Sequence, residues 1–155
     1  MRELRTIGVY GFDAASFLER LRSGGVSMLL DVRQRRGVRG TEYAWANSQR
    51  LQASLAAAGI TYRHHRELAP TTELRQLQYA EDARQGVGKH TRRELAATYV
   101  DRYTAEILDH ADLQVTVSAL PSTGAGALFC VERDPEACHR SLIGYRHAQS
   151  GGPRW

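Results

Sequence analysis

Apolar positions along the chain fall into short runs, separated by glycine turns and by stretches with a 3.6-residue rhythm. Residues 4–9 read as an opening strand, closed by a turn between Gly8 and Gly11. A helix follows, because Asp13 suits an N-cap, Phe12 and Phe17 have the spacing of a hydrophobic staple, and Gly24-Gly25 ends the pattern. Residues 26–32 form a nearly continuous apolar run, as expected of a strand covered on both faces. Beyond an arginine-rich loop, Leu51, Leu55 and Ala58 recur at helical spacing up to Gly59, a natural C-cap. Ile60-Thr61-Tyr62 then begins a third strand that leads into His64-His65-Arg66-Glu67.

In the second half, Pro70-Thr71-Thr72 opens a short helix around Leu74 and Leu77, and Gly86-Val87-Gly88 breaks the chain. Thr91 and Glu94 match a capping box, which predicts a long helix with Leu95, Tyr99, Tyr103 and Ile107 on one face. Residues 112–120 fit either an alternating strand or an extension of that helix. Residues 127–132 read as the last strand, and Asp134 at N-cap with Pro135 at N1 starts the final helix.

This alternation predicts an α/β, single-domain, Rossmann-like fold over residues 1–150: a mainly parallel sheet with helices on both faces. Residues 151–155 (Gly-Gly-Pro-Arg-Trp) read as a loose tail. Ligands of such folds bind beyond the carboxyl ends of the strands. Tyr10, Asp31 with Arg33, His64 with His65, and Glu132 with the segment after it all fall on that edge, which predicts one functional cleft.

Composition changes this picture little. The 155 residues are 42% hydrophobic and 25% charged, proportions of a globular chain. No apolar run reaches the ~18 residues of a membrane span, and the start lacks a secretory stretch, so a cytoplasmic location is expected. On that expectation Cys130 and Cys138 are thiols rather than a disulfide. The net charge of +4 and pI of about 9.4 fit an anionic partner such as a nucleotide, phosphate or nucleic acid, and fit equally a solvated basic face with no partner.

Four arginines and two glycines crowd Arg33-Gln34-Arg35-Arg36-Gly37-Val38-Arg39-Gly40, a composition suited to phosphate oxygens as well as to a solvated loop. Tyr43 and Trp45 follow at a distance that suits stacking on a base or simple packing. Near the end, Glu132 has the position of a general acid or base. Cys138, placed in the first turn of the final helix beside His139 and Arg140, has the setting of an activated thiol or of a core residue. Cys130, inside an apolar strand, reads as buried. A metal site from Cys130, Cys138 and His139 is disfavoured, since adjacent helical residues point about 100° apart. No phosphate-binding or dinucleotide glycine motif and no H-E-x-x-H occurs, so neither cofactor nor metal is assigned.

Several stretches carry a family resemblance. They are Thr6-Ile7-Gly8, Leu30-Asp31-Val32-Arg33, Gly59-Ile60-x-Tyr62 and, above all, Cys130-x-Glu132-Arg133-Asp134-Pro135-Glu136-x-Cys138-His139-Arg140-Ser141. On these the chain resembles the family called domain of unknown function 488 along almost its whole length. The resemblance implies a fold and a site at these residues without naming a substrate. Members commonly carry a His directly after the Thr-Ile-Gly step, whereas this chain has Val9-Tyr10, so any role of that His is moved or lost here. Asp31 and Arg33 also resemble the apolar-Asp-Val-Arg step of rhodanese domains, but no cysteine-centred loop follows, and sulfur transfer is not supported.

The expected function is therefore an enzyme, a hydrolase or transferase, acting on an anionic nucleotide or nucleic-acid-type substrate. Its catalytic candidates are Glu132, Cys138 and His139. Its substrate-binding candidates are Tyr10, Asp31, Arg33, Arg39, Tyr43, His65 and Arg140. A non-enzymatic binding module built on the arginine loop, and a thiol-based metal or redox sensor, are the alternatives.

Overall fold

A computed structural model describes residues 3–149; the loose-tail expectation for 151–155 lies outside the described residues. Four parallel strands, β1 (Glu3–Ile7), β2 (Val26–Asp31), β3 (Thr61–His64) and β4 (Ala125–Phe129), pair in the order β1-β4-β2-β3. Six helices connect or follow them: α1 (Ala14–Ser23), α2 (Ser48–Ala57), α3 (Thr72–Gln85), α4 (Ala97–Glu106), α5 (Leu113–Ser118) and α6 (Arg140–Gln149). The last-inserted strand, β4, is central and buried at every position, as a strand covered on both faces must be.

The two-residue period of the strands divides the core. Ile7, Leu29, Ala127, Phe129 and Val131 turn to one face, where they meet Phe17 and Leu21 of α1 and Leu51 and Leu55 of α2. Leu4, Leu30, Val32, Leu128 and Cys130 turn to the other, against Leu74 of α3, Tyr99 and Tyr103 of α4, and Ile143 of α6. The sheet is thus a Rossmann-like layer between helices, as the alternation of elements predicts. Register levels the carboxyl ends: Ile7 pairs with Phe129, Phe129 with Asp31, and Asp31 with His64. Whatever projects past these four residues shares one edge.

Local signals account for several boundaries. Asp13 caps α1 reciprocally with Ser16, and Phe12 packs edge-on to Phe17 with ring centroids 5.8 Å apart. Gly86 ends α3 in the left-handed region at φ 72°. Three expectations need correction. Residues 112–120 are not a strand: Asp112 caps the short helix α5, which a tight turn at Leu108–His110 separates from α4. The Thr91–Glu94 pattern does not start a helix; Thr91 Oγ1 accepts from Gly88 N inside the loop, and α4 begins only at Ala97, whose preceding residue donates to buried Gln78. Arg92 is drawn into a buried ion pair, which keeps residues 91–95 out of the helix.

The third correction bears on chemistry. Asp134 and Pro135 start only one tight turn, Pro135–Ala137, after which Cys138 is extended (φ −144°, ψ 154°) and α6 begins at Arg140. Tertiary bonds override the local helix signal here. The Arg140 guanidinium donates to the carbonyls of Ile7 and Glu132, and the His139 ring is held on the Val32 carbonyl. Cys138 therefore precedes the helix cap instead of lying in the first turn, and the helix-end argument for its activation falls away.

Candidate functional site

Strand parity decides which polar groups at the carboxyl edge can meet. Asp31 and Arg33 continue β2 toward the α1/α2 face, whereas Cys130 and Glu132 continue β4 toward the α3/α6 face. The two sets are built differently.

On the first face, Asp31 and Arg33 form a closed buried pair. Arg33 Nε and Nη2 donate to the two carboxylate oxygens at 2.9 Å each, its Nη1 donates to the Ala46 carbonyl, and its guanidinium lies 4.7 Å from the Phe129 ring centroid. Tyr62 completes the set by donating to Asp31 at 2.5 Å. Every donor has a partner, so the pair has little capacity left for a ligand. Arg140 is likewise fully buried, and its guanidinium bonds to carbonyls of Ile7, Glu132 and Arg133. Gly8 is what lets the strands' ends approach: a Cβ there would collide with the Glu132 carbonyl. Arg140 is a strap joining β1, β4 and α6, and neither it nor Asp31 lines the cavity or the cleft of the second face. Trp45 takes the packing alternative, tilted on Phe17 at 4.7 Å. His65 bonds Glu67 at 2.9 Å, away from the cleft.

On the second face a small cavity of about 50 Å³ adjoins a cleft of about 840 Å³, the two sharing Arg35, Arg75, Tyr79, Lys89 and Val131. Cys130, Glu132, Cys138 and His139 line the cavity floor with Tyr99 and Gln78. The thiol and imidazole groups are tightly grouped: one ligand atom from each of Cys130, Cys138 and His139 lies within 4.8 Å of the others. Cys138 Sγ is 3.5 Å from His139 Nδ1, and Cys130 Sγ donates to Glu132 Oε2 at 3.6 Å. The hydrogen bond with Cys138, then burial, push the Cys130 thiol well above its ordinary value. Burial alone would raise Glu132, but the charges of Arg92 and Lys89 outweigh it and hold the carboxyl below the usual range. Arg92 bridges Glu132 at 2.8 Å and Asp82 on α3, and also ties the Ala137 carbonyl. Arg92 thus faces two buried carboxylates, Asp82 and Glu132, while Arg33 pairs with Asp31 and Arg140 bonds to backbone carbonyls.

The rim differs from the floor in charge. Arg35, Arg75 and Lys89 border both the cavity and the cleft, and none of them pairs with a carboxylate among the described residues. Arg75 and Lys89 lie 5.7 and 5.6 Å from the ring centroid of Tyr79. Arg39 and Tyr10 line the cleft further out, and Tyr10 stacks on His90 at 3.8 Å with Tyr43 tilted against it. Burial, with the charge of Glu132 behind it, pushes the Tyr10 hydroxyl up to about 12.

The structure therefore gathers Glu132, Cys138 and His139 with Tyr10 and Arg39 along one cleft, and places Asp31, Arg140 and His65 outside it; Arg33 borders the cavity with its side chain committed to Asp31. Arg75, Tyr79, Lys89, His90 and Arg92 join the site without having been expected there from sequence. The segment Gly86-Val87-Gly88-Lys89-His90-Thr91-Arg92 carries the same signal as residues 33–40, cations set among glycines, and reads as a chain break only if its charges are passed over.

An all-parallel sheet with its polar cleft beyond the carboxyl ends defines the class, a Rossmann-like α/β protein. Within it, the chain belongs to the family described as domain of unknown function DUF488, whose model matches residues 13–146. No curated protein and no solved structure matches it. Among the described residues no helix is long and apolar enough to cross a membrane.

Proposed function

We propose that the protein is an enzyme, a hydrolase or transferase, that takes an anionic nucleotide-type substrate in the cleft between α3, the 86–95 loop and the 33–40 loop. The observation that carries this reading is a set of cations without a carboxylate ion pair, Arg35, Arg75 and Lys89, beside a cavity lined by Glu132, Cys138 and His139; the Arg75 guanidinium is held by Gln34 and Tyr79. Like charges held close together raise the folding free energy unless a ligand compensates them. The planar guanidinium of Arg35 suits bidentate contact with a phosphate, Arg75 adds charge while held by Gln34 and Tyr79, and Lys89 adds a point charge. Tyr10 and His90 offer a flat aromatic face beside them, suited to a base. Glu132, ionised and aimed at the cavity, is the acid/base group in this scheme, with Cys138 and His139 next to it.

The volume of the outer cleft, about 840 Å³, favours a second reading, a module that holds a single-stranded nucleic acid along Arg35, Arg39 and Tyr10. Salt separates the two. Binding of an oligonucleotide across many phosphates should weaken steeply as salt rises, through counterion release, while a mononucleotide held by two or three cations should depend on salt weakly. Calorimetric titration of a nucleoside triphosphate and of an oligonucleotide, each at low and high salt, decides it. Tighter, steeply salt-dependent oligonucleotide binding with no nucleotide binding would replace the enzyme by the module.

A further inference from the structure

Beneath the basic mouth lies a group of ligand atoms that the anion-binding reading does not require. We propose that Cys130 Sγ, Cys138 Sγ and His139 Nδ1 bind a zinc-class divalent metal ion, leaving its fourth position open to the cavity. Four observations carry this. The three atoms lie within 4.8 Å of one another and all three residues are buried. A tetrahedral ion with thiolate bonds of about 2.3 Å and an imidazole bond of about 2.0 Å sets its ligands roughly 3.5–3.8 Å apart. Cys138 Sγ and His139 Nδ1 stand at 3.5 Å, so only small movements of Cys130 complete the set.

The imidazole is prepared for the role by its other nitrogen. His139 Nε2 lies 2.8 Å from the Val32 carbonyl, and a carbonyl only accepts, so Nε2 carries the hydrogen. In the neutral ring Nδ1 then presents its lone pair toward the two thiols. A backbone carbonyl that fixes the tautomer and the ring plane is the usual outer support of a metal-bound histidine. The support exists here although the chain could have turned the ring either way.

Charge fits as well. A divalent cation added to a buried site needs counter-charge from its own ligands. Two thiolates supply it: the ion displaces one proton from each thiol to solvent, with Glu132 Oε2 the near acceptor for that of Cys130, and the cluster stays neutral. Two sulfurs select zinc, or cobalt as its substitute, over magnesium or calcium. Three protein ligands with one open position is the arrangement of catalytic rather than structural zinc sites, and the 50 Å³ cavity that all three residues line has room for water in that position.

The assignment needs no anion, so it stands or falls apart from the proposed function. The reduced, metal-free protein should be titrated with Co²⁺. The expected result is saturation at one equivalent, with a thiolate-to-cobalt charge-transfer band and the strong ligand-field bands of tetrahedral geometry, both erased by Zn²⁺ and untouched by Mg²⁺. Cys130→Ala and Cys138→Ala should each weaken binding by more than the roughly 10–100-fold that loss of an outer-shell partner costs. Zn²⁺ should also shield both thiols of the unaltered protein from alkylation, which needs no variant to fold. Weak octahedral-type absorption without charge transfer, binding kept in the double Cys→Ala variant, or thiol labelling indifferent to Zn²⁺ would overturn the proposal. Nucleotide titration of the metal-free protein reports on the anion site alone.

Discussion

The carboxyl edge of the sheet holds two polar regions that look alike in sequence and are opposite in construction. Toward α1 and α2, Asp31 and Arg33 saturate each other, and Tyr62 and the Ala46 carbonyl take what remains. Toward α3 and α6, Arg35, Arg75 and Lys89 keep their charge facing a cleft, over a floor where two thiols, an imidazole and Glu132 adjoin a cavity. The first region resembles a rivet and the second a socket. Buried ionic groups that are fully bonded serve cohesion, and removing one partner strands the other. Polar groups left without a protein partner point to a ligand.

Breaking the strap should have the largest effect. Arg140→Met removes the guanidinium donor from the Ile7, Glu132 and Arg133 carbonyls, leaving Ile7 only its bond from Cys130 N, and Gly8→Ala drives a Cβ into the same junction. Each should destabilise by several kcal/mol, on the order of 3–5, in denaturant unfolding. Near-wild-type stability in both would show that the edge does not depend on this junction. Arg33→Met should follow closely at about 3 kcal/mol, since it leaves the fully buried Asp31 carboxyl without its guanidinium partner. If it instead left stability intact and abolished nucleotide binding, the division between rivet and socket would be misplaced.

At the socket the pattern should invert. Arg35→Ala and Lys89→Ala should alter stability by no more than about 0.5 kcal/mol, as exposed or unpaired side chains do. Nucleotide affinity should fall at least about tenfold for each, since hydrogen bonds to charged groups contribute roughly 1.5–3 kcal/mol.

The smallest effect lies on α6. His147 is 4% exposed with an unpartnered Nε2, and burial holds it below its ordinary value of 6.5. The unfolded chain thus binds the proton more readily, so its contribution is complete above 6.5 and is lost as pH falls through the lowered folded value. His147→Leu should lose less stability than the parent between about pH 7 and about pH 5; identical acid limbs would remove His147 as a contributor.

The fold was legible because strand runs, caps and turn glycines agree with one another: residues 26–32, the Asp13 cap and the glycine at 86 all lie where their local chemistry puts them. Less legible was everything that depended on tertiary bonds. The final helix starts at Arg140 because distant carbonyls fix His139 and Arg140, which no local signal encodes. Parity was available, since Asp31 and Arg33 alternate with Leu30 and Val32, but which strand neighbours which is not written in either segment. The sequence therefore merges two polar sets that the sheet separates, and misses the cations of residues 75–92, which join the cleft through folding of α3 and its loop.

The most direct test is calorimetric titration of a nucleoside triphosphate at low salt into the unaltered protein and into the Arg35→Ala/Lys89→Ala double variant, with thermal melting of both. The expected result is saturable binding by the parent, weakened on the order of a hundredfold in the double variant, while the melting temperatures stay within a few degrees. Equal affinity in both proteins, or no binding by the parent at millimolar-range nucleotide, would contradict the claim that this face of the edge is built for an anion.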